Sequence, residues 1–291
     1  MQNSERIPDS ELIINPDGSI YHLNLRPEDV ADTVITVGDP DRVESVSKHF
    51  DSIQLKARHR EFVTHTGYLN NKRITVISTG IGTDNIDIVF NELDALVNID
   101  FATRTIKEAK TSLDIIRVGT SGSVSADLQI DNTLITETAI GMDGLMHFYE
   151  FENSIQETVY LEAFANHIKP YFKEVAPYIA TGSEKLINKF EAYYPKGTTI
   201  TACGFYAPQG RMLRGPRTFP NFIEAVNTFQ HKHFRITNLE METAGIYALA
   251  KTLGHKALSI NAILASRVKF EFSSNPNAIV EKAIQTILER I

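Results

Sequence analysis

The chain has 291 residues, 42% of them hydrophobic and 22% charged, with a formal net charge of −7. That composition suits one extended globular core, and its acidic balance excludes duplex binding, which needs basic patches that neutralise phosphates. One cysteine, Cys203, excludes an intrachain disulfide and reads as a small buried hydrophobe. The first residues lack the basic and apolar regions of a signal peptide, and the most apolar stretch, 257–265, is too short to span a bilayer. A cytoplasmic protein that binds neither nucleic acid nor membrane is expected, with one domain over 1–291 and a flexible tail over 1–18.

Short β-branched runs alternate with helical patterns along the chain, which predicts an α/β fold around a largely buried sheet. In order, strands are predicted at 34–37, 73–78, 114–118, 132–136, 199–203, 236–239 and 258–264. Helices are predicted at 40–50, 85–97, 158–168, 184–193, 222–228, 242–253 and 278–291. Pro40 suits a first helical turn, and Ile246, Leu249 and Leu253 give their helix an apolar face. Asn70-Asn71 sits between alternating runs and reads as a hairpin turn. Residues 207–220 carry three prolines with Arg211, Arg214 and Arg217, a long irregular loop with local positive charge. His231 and His233 flank Lys232 in a polar stretch and read as solvated, since no carboxylate or cysteine completes a metal set.

Two strand ends carry arginine and glycine together. Gly38-Asp39-Pro40-Asp41-Arg42 lies where a strand meets a helix N-terminus, and Arg117-Val118-Gly119-Thr120-Ser121-Gly122 ends an apolar run. Backbone N–H groups, guanidinium groups and hydroxyls suit the tetrahedral oxygens of a phosphate, and ligands gather at the carboxyl ends of strands in open α/β sheets. Arg117, inside an apolar run, needs an anionic partner. A third cluster, Ser78-Thr79-Gly80-Ile81-Gly82, lacks the third glycine of a dinucleotide fingerprint and the lysine of a P-loop, so by itself it reads as close backbone packing.

These segments, with His59-Arg60-Glu61-Phe62, 204–211 and Asn238-Leu239-Glu240-Met241-Glu242, resemble the uridine phosphorylase branch of the nucleoside phosphorylase family over roughly residues 20 to 290. The resemblance implies a three-layer α/β/α fold with a mixed, partly barrel-like central sheet. It also implies a homodimer, or a hexamer of three dimers, with sites shared between subunits, acting on uridine and phosphate in nucleoside catabolism and salvage. Carried over by motif, the phosphate site falls on Gly38, Arg42, Arg117 and Thr120, with Arg60 from the neighbour. The ribose site falls on Thr120, Met241 and Glu242, with His22 from the neighbour, and the base site on Phe205, Gln209 and Arg211. No metal or organic cofactor is implied: Asn85 stands where a serine ligand is expected for the interface potassium that some members hold near the glutamate matching Glu61.

Phosphorolysis separates charge, because the sugar becomes cationic while the base departs with extra negative charge. Phosphate held by arginines supplies the nucleophile, Glu242 fixes ribose hydroxyls, and Arg211 meets the charge on the uracil carbonyls. Gln209 matches the O/N–H edge of uracil. Deoxyuridine and thymidine are further candidate substrates. Hydrolytic nucleosidases do not need the phosphate arginines, and the resemblance places an aspartate in purine phosphorylases where this chain has Ala265-Ser266-Arg267. A noncatalytic nucleoside or phosphate sensor is the reading from another class. Residues 100–112, with Arg104, Lys107 and Lys110, form an insertion placed to alter subunit packing.

Overall fold

A computed structural model describes residues 5–172 and 174–291. Its strands are β1 (Thr33–Val37), β2 (Ser52–His59), β3 (Phe62–Leu69), β4 (Lys72–Ser78), β5 (Ile99–Asp100), β6 (Thr105–Ile106), β7 (Asp114–Ser123), β8 (Thr133–Gly141), β9 (Tyr178–Thr181), β10 (Lys196–Thr201), β11 (Gln230–His231), β12 (Phe234–Glu240), β13 (Lys256–Ser266) and β14 (Glu271–Phe272). The α-helices are α1 (Asp41–Ser47), α2 (Thr83–Asn98), α3 (Ile155–Ile168), α4 (Glu184–Phe190), α5 (Phe222–Asn227), α6 (Thr243–Leu253) and α7 (Pro276–Leu288). Every strand and helix expected from the sequence has a counterpart. The Asn70-Asn71 turn joins β3 to β4 with both residues at positive φ, as a two-residue hairpin with primed geometry requires.

Twelve strands form one mixed sheet in the order β11-β12-β10-β8-β13-β7-β1-β4-β3-β2 with β9 and β14 attached, while β5 and β6 pair separately. β7 runs parallel to β1 and β13 at the centre. Its far end, Gly122 and Ser123, then pairs antiparallel with Leu239 and Asn238 of β12. The ring β7-β13-β8-β10-β12 is thereby closed into a five-stranded barrel, with β1, β4, β3 and β2 continuing outward from it. Closure requires strands long enough to bend, so β7 and β13 extend well past the apolar runs that mark them in the sequence. The additional residues, Gly119 to Ser123, are small and polar, and they form wall because Gly122 and Ser123 pair with β12 and Ser121 Oγ accepts from Asn238 Nδ2 across the barrel.

Apolar residues alternate between the two faces of the central strands, so the core divides. Val34 and Ile115 pack with α2 and α6, whereas Ile35 and Ile116 pack with α1, α4 and α7. A third cluster joins α3 and α5 to β12. These helices flank the sheet as the three-layer expectation requires. No helix among the described residues is long and apolar enough to cross a membrane.

Three local expectations change. Residues 5–18, expected as part of a free tail, are packed: the Ile7 N–H donates to the Arg104 carbonyl at 2.8 Å, and the Arg104 guanidinium donates to the carbonyls of Ile7, Pro8 and Leu12. Leu12 is buried beneath this clasp, so the insertion at 100–112 pins the N-terminal segment; residues 1–4 lie outside the described residues. Cys203 is exposed, because it follows β10 on the loop that rises out of the sheet. His231 is half-buried in β11, whereas His233 is exposed with its Nε2 3.1 Å from the Tyr160 hydroxyl.

Candidate active site

A cleft of about 710 Å3 opens where β1, β7 and β13 end. Gly38 follows β1 and approaches the loop after β4, where a Cβ on it would lie 3.4 Å from the Gly80 carbonyl oxygen. Arg42 reaches the cleft from the first turn of α1, and Arg117 and Thr120 face it from β7. Met241 and Glu242 enter where β12 turns into α6. This is the crevice at strand carboxyl ends that open α/β sheets offer to ligands.

Arg117 is 6% exposed, and its charge is met by carboxylates. Its Nη2 donates to Glu242 Oε2 at 2.5 Å and lies 3.2 Å from Glu240 Oε2. Burial opposes the charge on Arg117, but Glu240 and Glu242 outweigh it and hold its pKa up. The Glu242 carboxyl is itself pushed up by burial, with Arg117 pulling the other way and Glu240 adding to the rise. Arg42 is held down by burial and then by the neighbouring charge of Arg117. Two guanidinium groups that repel each other at one end of a cleft are stabilised by a bound anion.

Glu240 secures the turn on which Glu242 stands. Its carboxylate accepts from the N–H groups of Glu242 and Thr243, from the Thr243 hydroxyl at 2.8 Å and from the Thr201 hydroxyl at 2.6 Å. A carboxylate at the N-terminus of α6 also meets the positive end of the helix dipole. Glu242 Oε1 in turn accepts from the Gly82 N–H at 2.9 Å. Gly80 and Gly82 both have positive φ, and a Cβ on Gly80 would strike the Asn85 amide. The glycine cluster that suggests only close packing in the sequence therefore orients a cleft carboxylate.

The opposite end of the cleft is made from one loop. Phe205, Gln209 and Arg211 line it, with Leu264, Ala265 and Phe272 across from them. Arg211 lies 3.7 Å from the centre of the Phe205 ring and donates to Gln209 Oε1 at 2.5 Å and to the Phe205 carbonyl at 2.8 Å. Burial lowers the pKa of Arg211 to about 10, with Arg267 contributing, so it is charged at neutral pH. Arg267 donates to the Gln209 carbonyl at 2.8 Å and ties this loop to the end of β13. The facing residues of β13 and β14 are apolar, so among the described residues this end offers an aromatic face, an amide and a cation but no carboxylate.

His22 and Arg60 are not brought into this cleft. They sit together elsewhere: the Arg60 guanidinium carbon is 5.7 Å from the Tyr21 ring centre, and His59 Nδ1 donates to the His22 carbonyl at 2.8 Å. Arg60 holds a positive φ in the turn between β2 and β3. Sequence reasoning missed the residue that fixes this patch. Glu92 on α2 accepts from the backbone N–H groups of His22 and Leu23 and from His22 Nδ1 at 2.6 Å, which leaves His22 Nε2 as the free ring nitrogen. A glutamate on the helical pattern at 85–97 carries no local signal of that partner 70 residues away.

The profile of the Phosphorylase superfamily matches residues 32–291. The chain belongs to the phosphorylase superfamily. It is 32% identical over 269 residues to a uridine phosphorylase of Thermococcus kodakarensis, a match covering 92% of this chain and 85% of the relative. A DeoD-type purine nucleoside phosphorylase of Buchnera aphidicola is 25% identical over 278 residues, covering 93% and 100%. Among solved structures, a Trypanosoma brucei nucleoside phosphorylase with uridine phosphorylase activity superposes with a TM-score of 0.87 at 29% identity, covering 96% of this chain and 98% of that one. The fold is thus that of nucleoside phosphorylases, and the chain is an enzyme of the superfamily.

Proposed function

We propose that this superfamily member is a uridine phosphorylase, converting uridine and inorganic phosphate to uracil and ribose 1-phosphate. The observation that carries this reading is the polarity of one cleft, with paired guanidinium groups at one end and an aromatic, amide and guanidinium set at the other. Phosphate lies at the first end against Arg42 and Arg117, with Gly38 and Thr120 completing its cradle. Glu242 and Met241 hold the ribose between the two ends. Gln209 pairs with the uracil edge, and Phe205 covers the ring.

In the reaction a phosphate oxygen bonds to C1′ as the bond from C1′ to the base nitrogen breaks, and that electron pair delocalises onto the uracil carbonyl oxygens. Arg211, charged at neutral pH, stabilises those oxygens as an oxyanion hole does. The arginines at the other end orient the nucleophile and balance its charge. His22 and Arg60 complete the site of a neighbouring subunit in a homodimer or a hexamer of dimers, which accounts for their lying together outside their own cleft.

A purine substrate is the second reading, raised by the DeoD-type relative. A departing purine is helped by a proton donor at its ring nitrogen, and among the described residues the base end includes no carboxylic acid. Uracil release from uridine, measured with and without phosphate and alongside inosine, tests the proposal. Phosphate-dependent cleavage of uridine in preference to inosine is expected. Cleavage at the same rate without phosphate would make the enzyme a hydrolase, and preference for inosine would make it a purine phosphorylase.

A further inference from the structure

Polar side chains sealed inside the barrel form a line that starts at Arg117 and returns to the cleft. Arg117 Nη1 donates to Asn261 Oδ1 at 2.7 Å, and Asn261 Nδ2 donates to Thr136 Oγ1 at 3.0 Å and Ser259 Oγ at 3.1 Å. The hydroxyls of Thr136 and Thr199 are 2.6 Å apart, Thr199 donates to Asn238 Oδ1 at 3.0 Å, and Asn238 Nδ2 donates to Ser121 Oγ at 2.9 Å. Ser121 lines the cleft. Thr136, Thr199, Asn238, Ser259 and Asn261 have no exposed surface, so every unmade bond along this line carries the full cost of a buried polar group.

The donors and acceptors form one consistent arrangement. A guanidinium only donates, so Asn261 turns its carbonyl oxygen to Arg117 and its NH2 to Thr136. Thr199 spends its single proton on Asn238, so Thr136 donates to Thr199. Turning the Asn261 amide over would set an NH2 group against the guanidinium and break the line beyond it. The strands supply the remaining constraint: Asn261 pairs with Gly119 and Ser259 with Arg117 between β13 and β7. A Cβ on Gly119 would overlap Arg117 Nη1 and come within 2.7 Å of Asn261 Oδ1, so the arginine lies back along its own strand in a slot that only glycine leaves open.

Glu240 and Glu242 pull on Nη2 from the other side. Asn261 is the opposing anchor, and being neutral it holds Nη1 without adding negative charge that would repel an incoming anion. We propose that Asn261 is a positioning residue for the anion end of the cleft, its orientation locked by the line from Thr136 to Asn238. Its role is to hold Nη1 while the two carboxylates hold Nη2, so that the guanidinium plane stays fixed where the anion binds. The identity of the anion rests on the phosphorolysis reading.

Inorganic phosphate titrated calorimetrically into the full-length protein, beside steady-state kinetics and thermal melting, tests this. Asn261→Ala is expected to weaken phosphate binding and raise KM for phosphate roughly 10- to 100-fold, with KM for uridine within about 2-fold. Thr136→Val, which removes one support of the amide, is expected to act in the same direction by about 3-fold, and Thr136→Ser to restore wild-type affinity. A purely structural role would lower the melting temperature and leave the phosphate affinity of the folded protein unchanged, a result that overturns the assignment. If Asn261→Ala does not fold, the Thr136 pair decides: equal phosphate affinity in Thr136→Val and Thr136→Ser overturns it. A wild-type protein that binds no phosphate removes the phosphorolysis reading and this proposal together, whereas phosphate bound equally by wild type and variants removes only the role of Asn261.

Discussion

The two ends of the cleft are built by different means. At the guanidinium end, Arg117 takes its partners from β13 and the start of α6, elements far apart in sequence and buried between strands. At the aromatic end, Arg211 takes its partners from Phe205 and Gln209 in its own loop, and the Phe205 side is half exposed. One end is therefore fixed by folding of the barrel, and the other by a loop that could change without disturbing the sheet. On the proposed reading, the nucleophile site belongs to the scaffold and the leaving-group site to the loop.

The largest expected effect lies at the scaffold end. Arg117→Ala removes a charge-assisted set of contacts whose loss costs roughly 2 to 5 kcal/mol, so kcat/KM for uridine should fall by roughly 30- to 5,000-fold. It also strands Glu240 and Glu242 as neighbouring buried carboxylates, so a lower melting temperature should accompany it. A loss of less than about 10-fold in steady-state assays would contradict a nucleophile held by the scaffold.

Arg211→Ala comes next. Uridine cleavage should slow by roughly 100-fold or more, as when an oxyanion donor is removed, while calorimetric phosphate affinity stays near wild type. Collapse of both would mean that the loop organises the whole cleft, and the division between the ends would fail.

The third expectation concerns residues that neither end contains. A His22→Ala/Arg60→Ala variant and a Glu242→Ala variant should each be inactive. Mixed under conditions that let subunits exchange, they should recover activity at about a quarter of all sites, since half the pairs are mixed and each has one complete site. Verified exchange without recovery would place His22 and Arg60 in service of their own chain.

The smallest effect tests the loop alone. Gly210 has φ +68°, and a Cβ there would sit 3.2 Å from Phe222. Gly210→Ala should strain the loop by about 1 kcal/mol and raise KM for uridine several-fold, leaving KM for phosphate unchanged. A change in phosphate KM of similar size would couple the ends.

Much of this was legible in the residues. Alternation of β-branched runs with amphipathic patterns determined the α/β class, because burial of a strand or a helix face imposes its own period on the sequence. Arginine and glycine together at strand ends marked a candidate anion site, since a charge within an apolar run demands a partner, and the structure gives Arg117 the partners Glu240 and Glu242. Resemblance to the nucleoside phosphorylase motifs marked nine residues that the structure gathers into one cleft, from Gly38 to Glu242.

Tertiary structure decided what depends on pairings distant in sequence. Barrel closure rests on Gly122 and Ser123 meeting β12, and small polar residues there look like loop until their partners across the ring are known. The edge strand β2 carries a period-two pattern in Ile53, Leu55 and Ala57, but none of the three is buried, because the sheet ends on it. Glu92 behind His22, Gly82 behind Glu242 and Asn261 behind Arg117 act on groups 70, 160 and 144 residues away. A hydrogen bond leaves no periodicity in the chain, so the residues that touch a ligand can be read from motifs, whereas those that aim them are found only once the strands are side by side.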